Sequence, residues 1–244
     1  MEKNFEKEYH NLETHHWWFK SRRKYILDYI SKAPKNSKII DIGCSSGILI
    51  KELVENGFAI ENLYGIDISE VAIANCKANG IINSFVMDAQ NIDLIEKFDI
   101  IISSDCLEHL KDEKKAIRNW ESILKSGGTM LVFVPAFQSL WSDHDVVNMH
   151  YKRYTKGELE RLLISENLEI IKSSYWNFFL FLPIYFYKRT SSFFQKNKTE
   201  VADISVGNDF INKLLYLVLN IENKILKYLN FPFGVSAFCV VKKK

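Results

Sequence analysis

Ile39-Ile40-Asp41-Ile42-Gly43-Cys44-Ser45-Ser46-Gly47 decides the fold of this chain. A run of β-branched residues passes into a bend of small residues bounded by two glycines, and the amphipathic stretch Ile48–Asn56 opens at once behind it. That order reads as strand, tight turn and helix, with the turn open to close approach of a ligand. A dinucleotide loop would carry G-x-G-x-x-G, so that a diphosphate can rest on the helix N-terminus. Here that spacing is missing, and Asp41 stands at the strand end, where it would repel a diphosphate. The loop suits a cationic cofactor without phosphate. A nicotinamide-dependent reductase is the competing reading, disfavoured by the missing third glycine.

Outward from this loop, short apolar runs alternate with helical patterns. Strands are predicted at Lys38–Ile42, Asn62–Ile66, Asn83–Met87, Phe98–Ser103 and Thr129–Val134, with helices at Ile48–Asn56, Glu70–Asn79 and Lys114–Leu124. Continuous apolar strands between helices indicate a parallel sheet buried on both faces, and right-handed crossovers make it doubly wound. Thr155 with Glu158 three residues on is a capping box that starts another helix. Leu168–Tyr175 and Ser236–Lys242 read as two last strands able to pair antiparallel. The expected class is α/β: a doubly wound, seven-stranded, mostly parallel sheet in one domain spanning 1–244. Its parts are an N-terminal cap helix (1–36), a core (37–175), a helical insertion (176–234), and a last strand with a basic tail (235–244).

Two further acids follow strand ends. Asp67, in Tyr64-Gly65-Ile66-Asp67-Ile68-Ser69, can accept hydrogen bonds from both hydroxyls of a ribose. Asp88, in Phe85-Val86-Met87-Asp88-Ala89, can reach an exocyclic amine of adenine. Three carboxylates ending three successive strands share one edge of the sheet. Helix capping is the bland alternative for Asp67, although Ser69 could cap instead.

Ser103-Ser104-Asp105-Cys106-Leu107-Glu108-His109-Leu110 and Leu124-Lys125-Ser126-Gly127-Gly128-Thr129 complete a pattern that resembles class I S-adenosylmethionine-dependent methyltransferases over Lys38 to Val134. The family's first motif usually carries Gly where this chain has Ser45. The resemblance implies S-adenosyl-L-methionine as cofactor. It implies that Asp41 orders the loop and, through water, the methionine amine, while Gly43, Cys44 and Gly47 admit the methionine portion. Asp67 and Ile68 would meet the ribose side, Asp88 and Ala89 the adenine, and Ser104 the amino group through its backbone, with Leu107 along the wall. The flanks, His15-His16-Trp17-Trp18-Phe19-Lys20-Ser21-Arg22-Arg23 and Leu140–Thr155, resemble a bacterial and archaeal group associated with surface-glycan and glycolipid gene clusters.

A hydroxyl acceptor would need its proton taken, and His109, His144 and His150 are the candidate bases. Trp18, Arg153 and Tyr154 are candidate substrate residues; Arg153 could instead pair with Glu158 or another acid. The expected reaction is O-methylation of a small or lipid-linked, sugar-type acceptor. A quinone-like phenol, an amine, or a catalytically silent binding module are the alternatives. No metal is expected: the four cysteines are far apart, with no C-x-x-C pair and no His at ligand spacing.

The formal net charge of +2 is too small to point to nucleic acid. The polar, acidic start predicts no signal peptide, and the chain reads as cytoplasmic, on the inner face of the membrane if it meets one. Trp176–Tyr187 is almost wholly apolar but spans twelve residues, short of the ~20 needed to cross a bilayer. The stretch 176–194 therefore reads as a membrane-surface element; a homodimer interface or a pocket lining competes. Gln195–Asp209 has the look of a mobile loop, and apolar residues at 210, 214, 218, 221, 225 and 229 trace a helical stripe.

Overall fold

A computed structural model of the chain describes residues 12–186 and 208–244. The elements, in order, are α1 (Trp17–Ile30), β1 (Ile39–Ile42), α2 (Ile48–Glu55), β2 (Leu63–Asp67), α3 (Glu70–Ala78), β3 (Ser84–Val86), β4 (Phe98–Ser104), α4 (Glu113–Ile123), β5 (Leu124–Pro135), α5 (Asp143–Val147), α6 (Lys156–Ile164), β6 (Leu168–Trp176), α7 (Asp209–Leu226) and β7 (Ser236–Lys243). They build a seven-stranded sheet in the order β3-β2-β1-β4-β5-β7-β6. β1 to β5 run parallel, while β7 is antiparallel to both neighbours. This is the doubly wound α/β fold expected from the strand pattern, including the antiparallel last pair.

Alternation along the strands builds two cores. Ile40, Ile42 and Ile101 face one side with Ile117 and Trp120 of α4 and Leu159 and Leu163 of α6. Ile39, Ile100 and Ile102 face the other with Ile26 of α1, Leu53 of α2, Ile73 of α3 and Leu219 of α7. The α6 capping box forms as predicted, with Thr155 Oγ1 accepting from Glu158 N and the Glu158 carboxylate accepting from Thr155 N at 2.6 Å. β5 begins at Leu124, ahead of the expected Thr129, because Leu124 already pairs with Phe98 across a register shift.

Two helix faces differ from their sequence pattern. The basic residues Arg22 and Arg23 of α1 are buried, because each finds a carboxylate beneath it. In α7 most of the apolar stripe is turned outward: Phe210, Leu214, Ile221 and, just beyond the helix, Leu229 are exposed and Val218 and Ile225 half-buried, while Leu219, Glu222, Asn223 and Leu226 are buried. Hydrogen bonds win over apolar matching there. Glu222 accepts from the backbone N–H groups of Asn177, Phe178 and Phe179, and Asn223 joins Trp176 Nε1 to Ser21 O. Unmade, each of those buried donors would cost about 1–3 kcal/mol.

The expected membrane-surface stretch 176–194 divides. Trp176 and Asn177 are fully buried, the first at the end of β6, so they are part of the protein interior. Phe179, Leu182 and Phe186 are exposed, and 187–194 lies outside the described residues. So does most of the loop expected at Gln195–Asp209, and so do residues 1–11 of the N-terminal cap. Among the described residues no helix is long and apolar enough to cross a membrane.

Candidate active site

The sheet delivers the carboxyl ends of β1 to β5 and the start of antiparallel β7 to one edge. A cleft of about 1200 Å³ opens there. Its wall takes Asp41 from β1 and Gly43 just beyond it, Asp67 from β2, Asp88 beyond β3, Ser104 from β4 and Asp105 just beyond it, Pro135 from β5 and Ser236 from β7. Ligands of open α/β sheets bind at this edge, where the crossovers diverge to either side of the central strands.

The β1 loop is held by backbone geometry. Gly43 (φ +77°) and Gly47 (φ +77°) sit in the left-handed region. A Cβ on Gly43 would stand 2.9 Å from Cys106 Cβ. Ser45 also takes a positive φ of 46°, which explains why Gly is usual at this position of the motif. It is tied on both sides: its N–H donates to Asp67 Oδ2 at 3.0 Å and its hydroxyl to Glu13 Oε2 at 2.9 Å. Asp67 also accepts from Ser69 N at 2.9 Å, while Ser69 caps α3 through its own hydroxyl.

Glu13, Asp41 and Asp67 gather on this side of the cleft, and Glu13 carried no motif that sequence could flag. Burial, with repulsion among these acids, pushes both Glu13 and Asp41 up to about 7, against the pull of Arg23. Arg23 is already engaged, donating to Glu52 Oε1 and to Glu13 O. A buried site with more carboxylates than cations favours a cationic ligand. An ammonium-bearing sulfonium nucleoside meets that requirement.

The residues expected to touch a cofactor are mostly assembled. Asp41, Gly43, Cys44, Asp67, Ile68, Asp88, Ala89 and Ser104 all line the cleft. Asp88 accepts from Gln90 N and Asn91 Nδ2, and Ala89 O accepts from Trp120 Nε1, which fixes this corner. Gly47 and Leu107 lie outside the lining. Gly47 precedes α2 with its Cα packed towards Ile81 and Cys76, and Leu107 is fully buried in the core.

The other side of the cleft collects the histidines. His109 and His150 meet edge to face at 4.6 Å between ring centroids, and His144 and His150 at 6.4 Å. Burial, helped by His150, lowers His109 to about 4. His150 Nδ1 bonds Asp145 Oδ1 at 2.9 Å. Arg153 clasps the same carboxylate through Nε at 2.8 Å and Nη2 at 3.0 Å, so its partner is Asp145, and it lines the cleft from a buried position. Burial opposes ionisation of Asp145, but the bonds from His150 and Arg153 hold its carboxyl well below the usual range. Tyr154 turns away and donates to Glu113 at 2.7 Å, outside the cleft lining. Trp18 does line the cleft, edge-on to Trp176 at 4.9 Å.

Arg22 joins the parts. Nη1 donates to Asp105 Oδ2 at 2.9 Å and Nη2 to Ser236 Oγ at 2.7 Å, with the guanidinium 4.3 Å from the Trp176 ring centroid. It ties α1 to the ends of β4 and β7 beneath the cleft.

The fold is that of class I, S-adenosylmethionine-dependent methyltransferases. A family model described as a methyltransferase domain matches residues 15–173, and the chain belongs to that family. It is 29% identical over 134 residues to the ubiquinone biosynthesis O-methyltransferase of Stutzerimonas stutzeri, covering 47% of this chain and 56% of that one. It is 30% identical over 115 residues to the protein of the same name from Coxiella burnetii, covering 45% and 47%. The chain thus spans about half the length of these curated relatives. Among solved structures it superposes on a SAM-dependent methyltransferase from Archaeoglobus fulgidus with a TM-score of 0.59 at 17% identity, over 97% of this chain and 99% of the other. Phosphoethanolamine N-methyltransferase 2 of Haemonchus contortus, in complex with S-adenosyl-L-methionine, gives 0.60 at 18% identity over 91% and 52%.

Proposed function

We propose that the chain transfers the methyl group of S-adenosylmethionine to a hydroxyl of a small or lipid-linked acceptor. The observation that carries this reading is the division of one cleft into an acidic end, at Glu13, Asp41 and Asp67, and a histidine end, at His109, His144 and His150. When bound, the cofactor supplies a methyl group on a cationic sulfonium, so its leaving group departs neutral. The acidic end holds that cation, with Asp67 on the ribose and Asp88 with Ala89 at the adenine. The histidine end receives the acceptor, Trp18 shields it from water, and Arg153 acts by fixing Asp145. The chemistry needs alignment and exclusion of water more than covalent help.

A sugar-type hydroxyl is the leading acceptor, by the likeness of the flanking segments to the glycolipid-associated group. A quinone-like phenol is the second reading, favoured by the names of the two curated relatives. Incubating the pure chain with isotopically labelled S-adenosylmethionine, and separately with polar lipid extract, glycans and a catechol-type quinol, tests both. Label in one fraction, with a gain of one methylene in mass, identifies the acceptor class. No affinity for S-adenosylhomocysteine at millimolar concentration would end the whole reading.

Affinity for S-adenosylmethionine, which keeps the sulfonium charge, should depend on pH with a definite sign. Glu13 and Asp41 hold protons up to about 7 in the folded chain, well above their unfolded values. The ligand-free chain therefore loses stability as pH rises from about 4 to about 7, where the unfolded chain has already released those protons. A cationic ligand prefers the ionised pair, so affinity should rise about tenfold between about pH 6 and pH 8, with proton release on binding. Calorimetry in buffers of different ionisation enthalpy reads both; a flat profile contradicts the acidic-end assignment.

The lipid-linked acceptor has support on the surface. Ile184 lines the cleft, whereas Phe179, Leu182 and Phe186 of the same segment face solvent. The outward stripe of α7 adds Phe210, Leu214 and Leu217, with Lys213 and Lys224 exposed on the same helix. Apolar residues with lysines beside them suit an anionic bilayer surface. The intact chain should sediment with vesicles of phosphatidylglycerol and phosphatidylethanolamine, and the triple variant Phe179→Ser, Leu182→Ser, Phe186→Ser should stay in solution. Equal behaviour of the two, or a dimer in solution that the triple variant splits, would assign this face elsewhere.

A further inference from the structure

We propose that Glu108, His109 and His150 bind one divalent transition-metal ion, of the Mn2+, Co2+ or Zn2+ kind, in the wall of the cleft. We further propose that the ion's open positions take the acceptor hydroxyl. The second clause rests on the O-methyl-transfer reading; the first does not.

Glu108 is the anomaly that points to it. The residue is fully buried at 1% exposure and lines the cleft, and among the described residues neither carboxylate oxygen finds a hydrogen-bond partner on another. The neighbouring acids are each neutralised by an arginine: Asp105 by Arg22 at 2.9 Å and Asp145 by Arg153 at 2.8 Å. Glu108 is left with His150 Nε2, 4.0 Å away, too far for a hydrogen bond. A bare buried carboxylate is expensive, so it either keeps a proton or takes a cation.

The histidines are arranged for the second outcome. Asp145 accepts from His150 Nδ1, which places the proton on that nitrogen and turns the Nε2 lone pair towards Glu108. A carboxylate behind an imidazole is the usual outer support of a metal-binding histidine. One donor atom from each of Glu108, His109 and His150 lies within 4.8 Å of the others. An ion about 2.1 Å from each at tetrahedral angles sets donors about 3.4 Å apart, so donors now within 4.8 Å of one another close by up to about 1.4 Å to complete the site. Burial and Asp105 push the Glu108 carboxyl up, and burial keeps His109 neutral. A neutral imidazole is a ready ligand, and the carboxyl would exchange its proton for the ion.

Two imidazoles with one carboxylate select borderline transition ions over Mg2+ or Ca2+. Three protein ligands leave positions free towards the cleft, and a hydroxyl bound there loses its proton to water more readily. His109, too weak a base for that task, then acts as a ligand.

The test uses the untagged full chain, stripped with chelator. Titration with Mn2+ followed by electron paramagnetic resonance, and with Co2+ by visible absorption, should show one ion per chain, with Mg2+ and Ca2+ competing poorly. Glu108→Gln and His150→Gln should each weaken binding at least tenfold. Asp145→Asn, a positioning change, should weaken it less and alter the Co2+ spectrum. Should a variant fail to fold, the wild-type Co2+ spectrum still decides, since it shows whether imidazole is bound. Absence of Mn2+, Co2+ and Zn2+ binding at millimolar concentration, or undiminished binding in Glu108→Gln, overturns the proposal. S-adenosylhomocysteine is titrated in parallel. Product bound without metal leaves methyl transfer standing and removes the ion; metal bound without product does the reverse.

Discussion

Replacing Asp67 by Ala lowers affinity for S-adenosylhomocysteine about 100-fold or more while leaving the far-ultraviolet circular dichroism unchanged. The carboxylate has two tasks in one place. It accepts from Ser45 N and Ser69 N, holding the β1 loop and the start of α3 around the cleft, and it faces the position proposed for the ribose. Hydrogen bonds to an ionised group are each worth about 1.5–3 kcal/mol. Losing two ribose contacts therefore costs about 3–6 kcal/mol, and every 1.4 kcal/mol is tenfold in affinity. Asp67→Asn keeps one acceptor per amide and the shape, so it should fall between wild type and Ala. Calorimetric titration of the three proteins checks the order, and equal affinities would remove Asp67 from the cofactor site.

The second large effect is on stability. Arg22→Ala should destabilise the chain by about 2–4 kcal/mol, because a buried guanidinium paired with a half-buried carboxylate lies between an exposed and a fully buried ion pair. For a chain of this length that is roughly 10 °C in melting temperature. The guanidinium bonds Asp105 and Ser236 while lying near the rings of Trp176, Phe133 and Trp18, so its loss removes charge pairing and packing together. Arg22→Lys should recover little, because a point charge on a flexible stem cannot reproduce the planar fork. Arg22→Met with Asp105→Asn should lose less than Arg22→Ala, since neither partner is then left charged. Melting curves of the four proteins decide it; a double variant worse than the single one would show that the pair does more than neutralise itself.

Much of the cofactor side could be read from the chain in order. The strand at Ile39–Ile42, the glycine-bounded bend and the acids at Asp41, Asp67 and Asp88 follow from short-range rules. In a parallel sheet every strand delivers its last residue to the same edge, so position along the strand already gives position in space. The three histidines were legible for a similar reason, since His109 follows β4 and the others follow β5. What each residue does once there was less legible. Arg153 looked like a substrate residue, but its fork is spent on Asp145, and Tyr154 is spent on Glu113.

Residues whose roles depend on distant partners gave no local sign. Glu13 reaches the hydroxyls of Ser45 and Ser46 across more than thirty positions, and Arg22 reaches Asp105 across 83. On a helical wheel both belong to polar faces that solvent would ordinarily claim. The α7 stripe shows the same limit from the other side. Its apolar period is genuine, yet Glu222 and Asn223 take the inner face because buried backbone donors at 177–179 and the Trp176 indole must be satisfied. Chain order alone set the sheet, the bend and the line of carboxylates, because those depend on neighbours in sequence. Packing decided which charges are buried, which histidine backs onto which acid, and that the Glu108 oxygens find no hydrogen-bond partner among the described residues. Desolvation and pairing depend on what the fold brings alongside, and no local pattern encodes that.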